Sequence, residues 1–369
     1  ARTFRRGAQV KPTATLPIPV RRAVQRMRAY HPPLEGRTEK LRLDFNENPI
    51  GCSPAVRRAL ARLAAATISS YPEQETVRRK AARHFGVRPD ELLLTNGTDE
   101  ALSLVVNTFV EARDTVLLAE PTYAMYRFYS ELAGAKIAAP RYDAEMQFPW
   151  QEILAELKAA PRVFFLPNPN SPTGNLLPHS DLRRILAAAK NTMVVIDEAY
   201  FEFSGVTVIP WIHRYKNLIV TRTFSKTAGL AGLRLGCIFV HAELAATMRK
   251  AQSPYPVNVA ALAAAEAAMQ DRGFIAKTVR DVRAGKKQLE RGLARLGVRH
   301  FPSAGNFVLA HFGERAKKIV AALDRGGTLV RDRSADFNGE GYVRITLGTP
   351  AQMRRLLQEL KPLLIGAGA

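Results

Sequence analysis

Cysteine is scarce in this 369-residue chain: there are two, Cys52 and Cys237, and they lie far apart. That excludes a disulfide framework and a cysteine-based zinc site, and it fits a reducing, cytoplasmic setting. The seven histidines form no close pair and no His-Glu-x-x-His occurs, so no metal is expected. No apolar run reaches the roughly 18 residues of a membrane span. Glycine and proline follow no period, no internal repeat stands out, and no glycine-rich nucleotide fingerprint follows a strand pattern. Collagen-like, solenoid and NAD- or ATP-binding readings therefore fail. Acidic residues are short too: 33 Asp and Glu stand against 54 Lys and Arg, a net charge of +21.

What is present is globular. Hydrophobic residues make up 47% of the chain, and the length suggests about two domains of roughly 150 residues each. The positive charge favours anionic partners: phosphate esters, nucleic acid or acidic surfaces. It is concentrated at the start, where residues 1–42 hold eleven Lys and Arg against Glu35 and Glu39. The plain reading is a solvated basic arm or a trait of the source proteome; the sharper one is a nucleic-acid contact. Pro12, Pro17 and Pro19 interrupt the arm's only weakly apolar stretch, so it lacks the core of a secretory signal.

Beyond the arm, short apolar runs alternate with helical patterns. Strands are expected at Leu92–Thr95, Val116–Ala119, Val163–Leu166, Met193–Ile196, Leu218–Thr221 and Cys237–Val240. Their continuous apolarity suits strands buried on both faces of a parallel sheet. One helix is expected from Asp99, with Leu102, Val105, Val106 and Phe109 on one face, and another over Ser180–Ala189. From Val257 the pattern changes to an Ala-rich helix over Ala260–Met269 and a basic helix over Thr278–Leu296. Short strands follow at Asn306–His311, Thr328–Val330 and Tyr342–Thr346, then a helix at Pro350–Leu364. The expected fold is α/β, a mostly parallel sheet sandwiched by helices, with a smaller C-terminal α+β domain. The divisions are 1–42 for the arm and lid segment, 43–256 for the large domain and 257–369 for the small one.

Ligands of open parallel sheets sit beyond the carboxyl ends of the strands, and in this chain those ends are chemically rich. Asn96-Gly97-Thr98-Asp99-Glu100 opens a helix, whose free N–H groups make a phosphate cup, or simply a capped helix start. Tyr123, in the turn that follows Val116–Ala119, either stacks on a planar ligand or packs. The loop from Pro167 to Gly174 is rigid with proline and carries Asn168 and Asn170. Asp197 ends an apolar strand, where a carboxylate is costly unless a cation meets it: a neighbouring Arg or a protonated ligand nitrogen. Thr223 and Ser225 bracket Lys226, and Arg234 follows; hydroxyls and a guanidinium suit a phosphate dianion. A desolvated Lys is a candidate Schiff-base amine, although most lysines are merely solvated. Together these features describe a site for a phosphorylated, planar, nitrogen-containing aldehyde, pyridoxal 5′-phosphate (PLP).

The same residues resemble fold-type I PLP-dependent aminotransferases, and most closely the histidinol-phosphate aminotransferase group. The resemblance runs from about Leu43 to the last helix and rests on Asn46-Glu47-Asn48-Pro49, Tyr71-Pro72, the motifs above, Asp197-Glu198-Ala199-Tyr200, Thr223-Phe224-Ser225-Lys226 and Tyr342-Val343-Arg344-Ile345-Thr346. It implies that Lys226 condenses with the cofactor aldehyde and shuttles the α-proton, and that Asp197 keeps the pyridine nitrogen protonated. Tyr200 and Asn170 would bond the phenolic oxygen and Tyr123 would stack on the ring. Gly97, Thr98, Asp99, Thr223, Ser225 and Arg234 would hold the phosphate. Tyr71 would reach the other subunit's cofactor, implying a homodimer with shared sites. Arg344 would clamp a carboxylate or, with Arg331, Tyr30 and Asn46 in the substrate pocket, a substrate phosphate.

The implied partners are a small-molecule amino donor and a 2-oxo acid, with histidinol phosphate and 2-oxoglutarate foremost. Aromatic or broad-specificity transamination, amino-acid phosphate decarboxylation, and a regulatory nucleic-acid-binding role on the same fold are the alternatives. Three departures accompany the resemblance, one of them a basic arm longer than the family needs. Ser171 stands directly before Pro172-Thr173-Gly174 where a second Asn is usual, and Pro33 follows Tyr30-His31-Pro32 where a Gly is usual.

Overall fold

A computed structural model describes residues 18–29, 33 and 35–365. Twelve strands occur among them, in two sheets. From one edge to the other, the larger sheet has the order β2 (Leu92–Thr95), β8 (Gly236–Val240), β7 (Leu218–Thr223), β6 (Met193–Asp197), β5 (Val163–Pro167), β3 (Thr115–Leu118), β4 (Lys136–Ala138). Neighbours from β7 to β4 are parallel. β8 is antiparallel to both β7 and β2. Its apolar run, Cys237–Val240, looks like those of its neighbours; the direction is set by the connection. Between β7 and β8 lies a glycine-rich loop, residues 224–235, whose only regular element is one turn of 3₁₀ helix at Ala231–Leu233. A parallel return is usually made by a crossover helix packed on the sheet, and this loop forms none.

Each central strand is buried on both faces. In β5, Phe164 and Leu166 enter one apolar layer while Val163 and Phe165 enter the opposite one. This period-two division of one continuous apolar run is what makes the strand the middle of a three-layer sandwich. Helices cover both sides. The Gly97–Phe109 helix carries Asp99 and Glu100 in its first turn, where acids oppose the helix dipole, and buries Ala101, Leu102, Leu104, Val105 and Val106. The His179–Ala188 helix buries Leu182, Ile185 and Leu186 on the other side.

The smaller sheet has the order β1 (Leu41–Leu43), β11 (Thr328–Asp332), β12 (Tyr342–Thr346), β10 (Phe307–His311), β9 (Arg299–Phe301). β1 lies parallel to β11, and the remaining pairs are antiparallel. The amphipathic helices Arg272–Arg295 and Pro350–Ile365 bury Val282, Leu289, Leu293, Met353, Leu356 and Leu360 beneath it.

Two segments relate to the cores differently from their places in sequence. β1 brings residues near position 42 into the small sheet. The Val259–Gln270 helix, past the textural change at Val257, buries Ala261, Leu262, Ala264, Ala265, Ala268 and Met269 in the large core. Small side chains let it lie close to the Pro54–Ala61 helix, and Asn258 caps it by accepting from the Ala261 N–H at 2.8 Å. Among the described residues no helix is long and apolar enough to cross a membrane, and no cluster of His, Cys, Asp or Glu is arranged to hold a metal.

Candidate functional site

The carboxyl ends of β2, β5, β6 and β7 face a cavity of about 510 Å³ whose far wall comes from the small sheet. Its phosphate-sized corner begins at Gly97. That residue has φ 74°, a conformation that favours glycine, and a Cβ there would lie 2.5 Å from Arg234 Nη2, so the guanidinium would have to move aside. The Arg234 Nη2 donates to Asp99 Oδ2 at 2.9 Å, and the Tyr123 hydroxyl donates to Asp99 Oδ1 at 2.8 Å. The Ser225 N–H donates to Thr223 Oγ1 at 3.1 Å, and the two hydroxyls meet at 2.9 Å. Thr98 Oγ1 is buried there without any hydrogen-bond partner. An orphaned buried hydroxyl costs about 1–3 kcal/mol. It sits beside two further hydroxyls, a guanidinium and the N–H groups of a helix start, a donor set that fits a phosphate monoester.

Asp197 closes β6 with only 4% exposure. Its Oδ2 accepts from the Tyr126 hydroxyl at 2.7 Å and its Oδ1 from the Ala199 N–H at 3.1 Å. Burial raises the Asp197 pKa, opposed by the Tyr126 hydrogen bond and the Lys226 charge. Burial, with Asp197 next to it, also holds the Tyr126 hydroxyl well above its ordinary range, so it remains a donor. A carboxylate desolvated this far is a strong acceptor for a protonated ring nitrogen.

Lys226 enters from the loop after β7. Its Nζ donates to the Phe45 carbonyl at 3.1 Å and lies 5.9 Å from the centre of the Tyr200 ring. The Tyr200 hydroxyl accepts from Asn46 Nδ2 at 2.9 Å. Asn46, at φ 54°, is itself held by Thr346: its N–H donates to Thr346 Oγ1 at 2.9 Å, and that hydroxyl donates back to Asn46 Oδ1 at 3.1 Å. Phosphate cup, buried acid, amine and phenol line one cavity, which fits the phosphorylated pyridine aldehyde implied by the motifs.

The opposite end is cationic. The antiparallel register sets Arg331 directly across from Arg344, so both guanidinium groups share one face. Arg344 Nη1 donates to Ser171 Oγ at 2.9 Å and Nη2 to the Asp44 carbonyl at 2.7 Å, while its Nε is buried without a partner. Burial, then the charges of Arg333 and Arg331, push its pKa down to about 10. Arg37 stacks on the Phe45 ring at 4.1 Å and donates to Asp44 at 2.8 Å and to Glu47 at 3.1 Å.

Of the sequence-derived candidates, Asn46, Thr98, Asp99, Tyr123, Asp197, Tyr200, Thr223, Ser225, Lys226, Arg234, Arg331 and Arg344 line this cavity, and Gly97 abuts it through Arg234. Asn170 does not. Its Nδ2 donates to the Pro121 carbonyl at 3.0 Å and to Thr173 Oγ1 at 2.8 Å, and its Oδ1 accepts from Thr122 Oγ1 at 2.8 Å. The loop turns on Asn170, whose carbonyl accepts from the Gly174 N–H at 2.9 Å, and Ser171 is the residue turned toward the cavity. The expectation that Asn170 bonds the phenolic oxygen is therefore corrected: its polar atoms are spent on holding the loop.

Tyr71 also lies outside the cavity, 78% exposed and stacked on Tyr255 at 4.4 Å between ring centres. Tyr30 lies outside the described residues. The sequence reading missed Tyr126, Arg37, Phe45, Ser171 and Arg333 among the lining residues. Tyr126 was detectable, since it follows Tyr123 at a helical spacing of three. Arg333 follows Arg331 at the strand spacing of two. Arg37 carried no local signal.

Residues 38–360 match the family described as aminotransferase class I and II. A histidinol-phosphate aminotransferase of Symbiobacterium thermophilum is 38% identical over 360 residues, 94% of this chain and 98% of that protein. Histidinol-phosphate aminotransferase 2 of Methylococcus capsulatus is 36% identical over 88% of this chain and 90% of its own length. The crystal structure of a Sinorhizobium meliloti histidinol-phosphate aminotransferase in complex with pyridoxal-5′-phosphate superposes with a TM-score of 0.86 at 25% identity. It covers 96% of this chain and 99% of that one.

Proposed function

Because the chain belongs to the aminotransferase class I and II family, a PLP-dependent group, we propose that it transfers the amino group of histidinol phosphate to 2-oxoglutarate. The products are imidazole acetol phosphate and glutamate, in histidine biosynthesis, with a cytoplasmic setting. The observation carrying the substrate assignment is the 38% identity to a histidinol-phosphate aminotransferase across 94% of the chain. The paired Arg331 and Arg344, with Arg333 beside them, supply a phosphate-binding end within the cavity that holds Lys226.

When bound, PLP supplies an aldehyde that takes up amino groups and a pyridinium ring that draws electrons from the substrate α-carbon. The residues do the rest. Thr98, Thr223, Ser225 and Arg234 hold the phosphate. Asp197 keeps the ring nitrogen protonated, since a buried carboxylate and a buried cation stabilise each other strongly in a dry site. Tyr126 holds that carboxylate in place through its hydroxyl, and Tyr200, oriented by Asn46, donates to the phenolic oxygen. Tyr123 covers the ring. The Lys226 Nζ carries a proton between the α-carbon and the cofactor, a general acid–base role worth about 10²–10⁴-fold.

Arg344 and Arg331 bind the donor's phosphate and, in the second half-reaction, a 2-oxoglutarate carboxylate. Ser171 positions Arg344 by accepting from its Nη1. The assembly is a homodimer in which Tyr71 contributes to the neighbouring site. The test is a substrate panel with 2-oxoglutarate as acceptor. Histidinol phosphate is expected to give the highest kcat/KM, and faster turnover of phenylalanine, or release of carbon dioxide from an amino-acid phosphate, overturns the assignment.

A further inference from the structure

A second cavity, of about 560 Å³, lies behind the first and shares one wall residue with it, Thr223. Its inner wall is apolar: Phe85, Phe224, Met269, Ile275 and Val279. Phe85 meets Phe224 edge-on at 6.2 Å and Phe239 at 4.9 Å, and the Arg222 guanidinium lies over its ring at 5.5 Å, so the wall is aromatic and already accepts a flat cation. Its mouth is basic. Arg272 and Arg280, exposed on the outer stripe of the Arg272–Arg295 helix, pair with no carboxylate among the described residues. Arg283, further along that stripe, donates to the Phe203 carbonyl at 3.1 Å.

The floor is different again. The Arg222 side chain, 8% exposed, is neutralised by Glu198 at 2.9 Å and stacks on Phe201 at 3.5 Å. Glu202 accepts from Thr227 Oγ1 at 3.2 Å, and burial raises its pKa. The floor therefore has little attraction for an anion, whereas two arginines at the rim have no acidic partner among the described residues. None of these groups belongs to the transamination chemistry, and the loop that carries Lys226 forms part of the wall.

We propose that this cavity is a second binding site, for a small carboxylate bearing an aromatic or apolar ring. The ring inserts against Phe85, Phe224 and Met269, and the carboxylate stays at the mouth between Arg272 and Arg280. The division of the cavity into an apolar interior and a cationic rim selects for both parts at once. A bare anion gains only the rim, and a neutral ring leaves the arginines unpaired. Coupling to the first site follows from the shared Thr223 and from Phe224, which leads directly into Ser225 and Lys226.

The experiment is calorimetric titration of the PLP-loaded protein with 3-phenylpropionate and, separately, with inorganic phosphate. The background is Arg344→Leu, so that carboxylate binding at the first cavity is removed. One molecule of 3-phenylpropionate per chain is expected. Affinity should fall at least tenfold in Arg272→Glu/Arg280→Glu and vanish in Ala276→Trp, which fills the groove from an exposed helix position. Phosphate should bind at least tenfold more weakly.

Absence of binding, binding indifferent to these changes, or phosphate binding as tightly as phenylpropionate each overturns the proposal. If Arg344→Leu does not keep the native visible band, the wild-type background decides. Two classes of site per chain, one lost in Ala276→Trp, support the proposal, and a single class untouched by that change refutes it.

Discussion

The proposed cofactor end and the proposed substrate end of the first cavity are built by different means. At the proposed cofactor end most groups follow a strand within a few residues: Thr98 after β2, Asp197 closing β6, and Thr223, Ser225 and Lys226 at and after β7. The parallel sheet aligns these ends, so local chain continuity suffices to bring the chemistry together. The substrate end is joined across the chain. Arg344 touches Ser171 and Asp44, separated from it by 173 and 300 positions, and Asn46 is fixed by Thr346, also 300 positions away. The first end depends on a rigid sheet; the second depends on how two cores meet. Changes at the cofactor end should therefore act on chemistry and cofactor retention, and changes at the substrate end on KM.

The comparison breaks most visibly at Lys226. Lys226→Ala should lose the visible band of the PLP-loaded protein, the borohydride-fixable adduct and roughly 10³-fold or more of turnover, followed by absorbance and stopped assays. Retained turnover would refute the assigned role.

Asp197→Asn should lower kcat by about 10²–10³-fold with KM little changed. It also carries a sign reversal. The native pKa of this carboxyl is raised by burial, so its ionised form destabilises the cofactor-free fold above that pKa, and the penalty disappears below the unfolded value. Cofactor-free Asp197→Asn should melt higher than wild type near neutral pH, with the gap closing as the pH falls into the acidic range. With PLP bound the order should invert, because the ring nitrogen loses its anionic partner.

At the other end, Arg344→Leu should raise the KM for histidinol phosphate at least about 30-fold, in line with the roughly 2–5 kcal/mol cost of breaking a buried charged contact. Its pKa is depressed to about 10. A cation with a lowered pKa loses its proton as the pH rises, so wild-type substrate affinity should weaken through about pH 10 while Arg344→Leu shows no such step.

Thr98→Ala should weaken PLP affinity by about 1 kcal/mol, roughly fivefold, by equilibrium dialysis. The smallest contrast lies within one loop. Ser171→Ala should raise KM by roughly fivefold with little change in Tm, because it frees Arg344 Nη1. Asn170→Ala should lower Tm with a smaller effect on KM, because its bonds hold the loop. Equal effects of the two on KM would erase the distinction drawn between them.

The large sheet was legible because its strands are continuous apolar runs and its ligand groups sit at their ends. β2 and β12 have the bounds the sequence suggests, and the Gly97–Phe109 helix begins two residues before its expected start at Asp99. β1, β4 and β9 went unseen, since three residues of strand carry no usable periodicity. The direction of β8 was invisible for a different reason: an apolar run has the same pattern forwards and backwards. Asn170 misled because composition shows which residues a loop contains but not which of two neighbours faces inward.

Composition and spacing by themselves determined the layered α/β core, the two-sided burial of its central strands and the cofactor chemistry at their carboxyl ends. These rest on backbone hydrogen bonding and hydrophobic periodicity, which act over a few residues. Tertiary structure alone decided that β1 joins the small sheet, that Ser171 meets Arg344, and that a second cavity opens behind Thr223. Each of those depends on surfaces brought together from distant parts of the chain, and no local preference encodes which surfaces will be buried against each other.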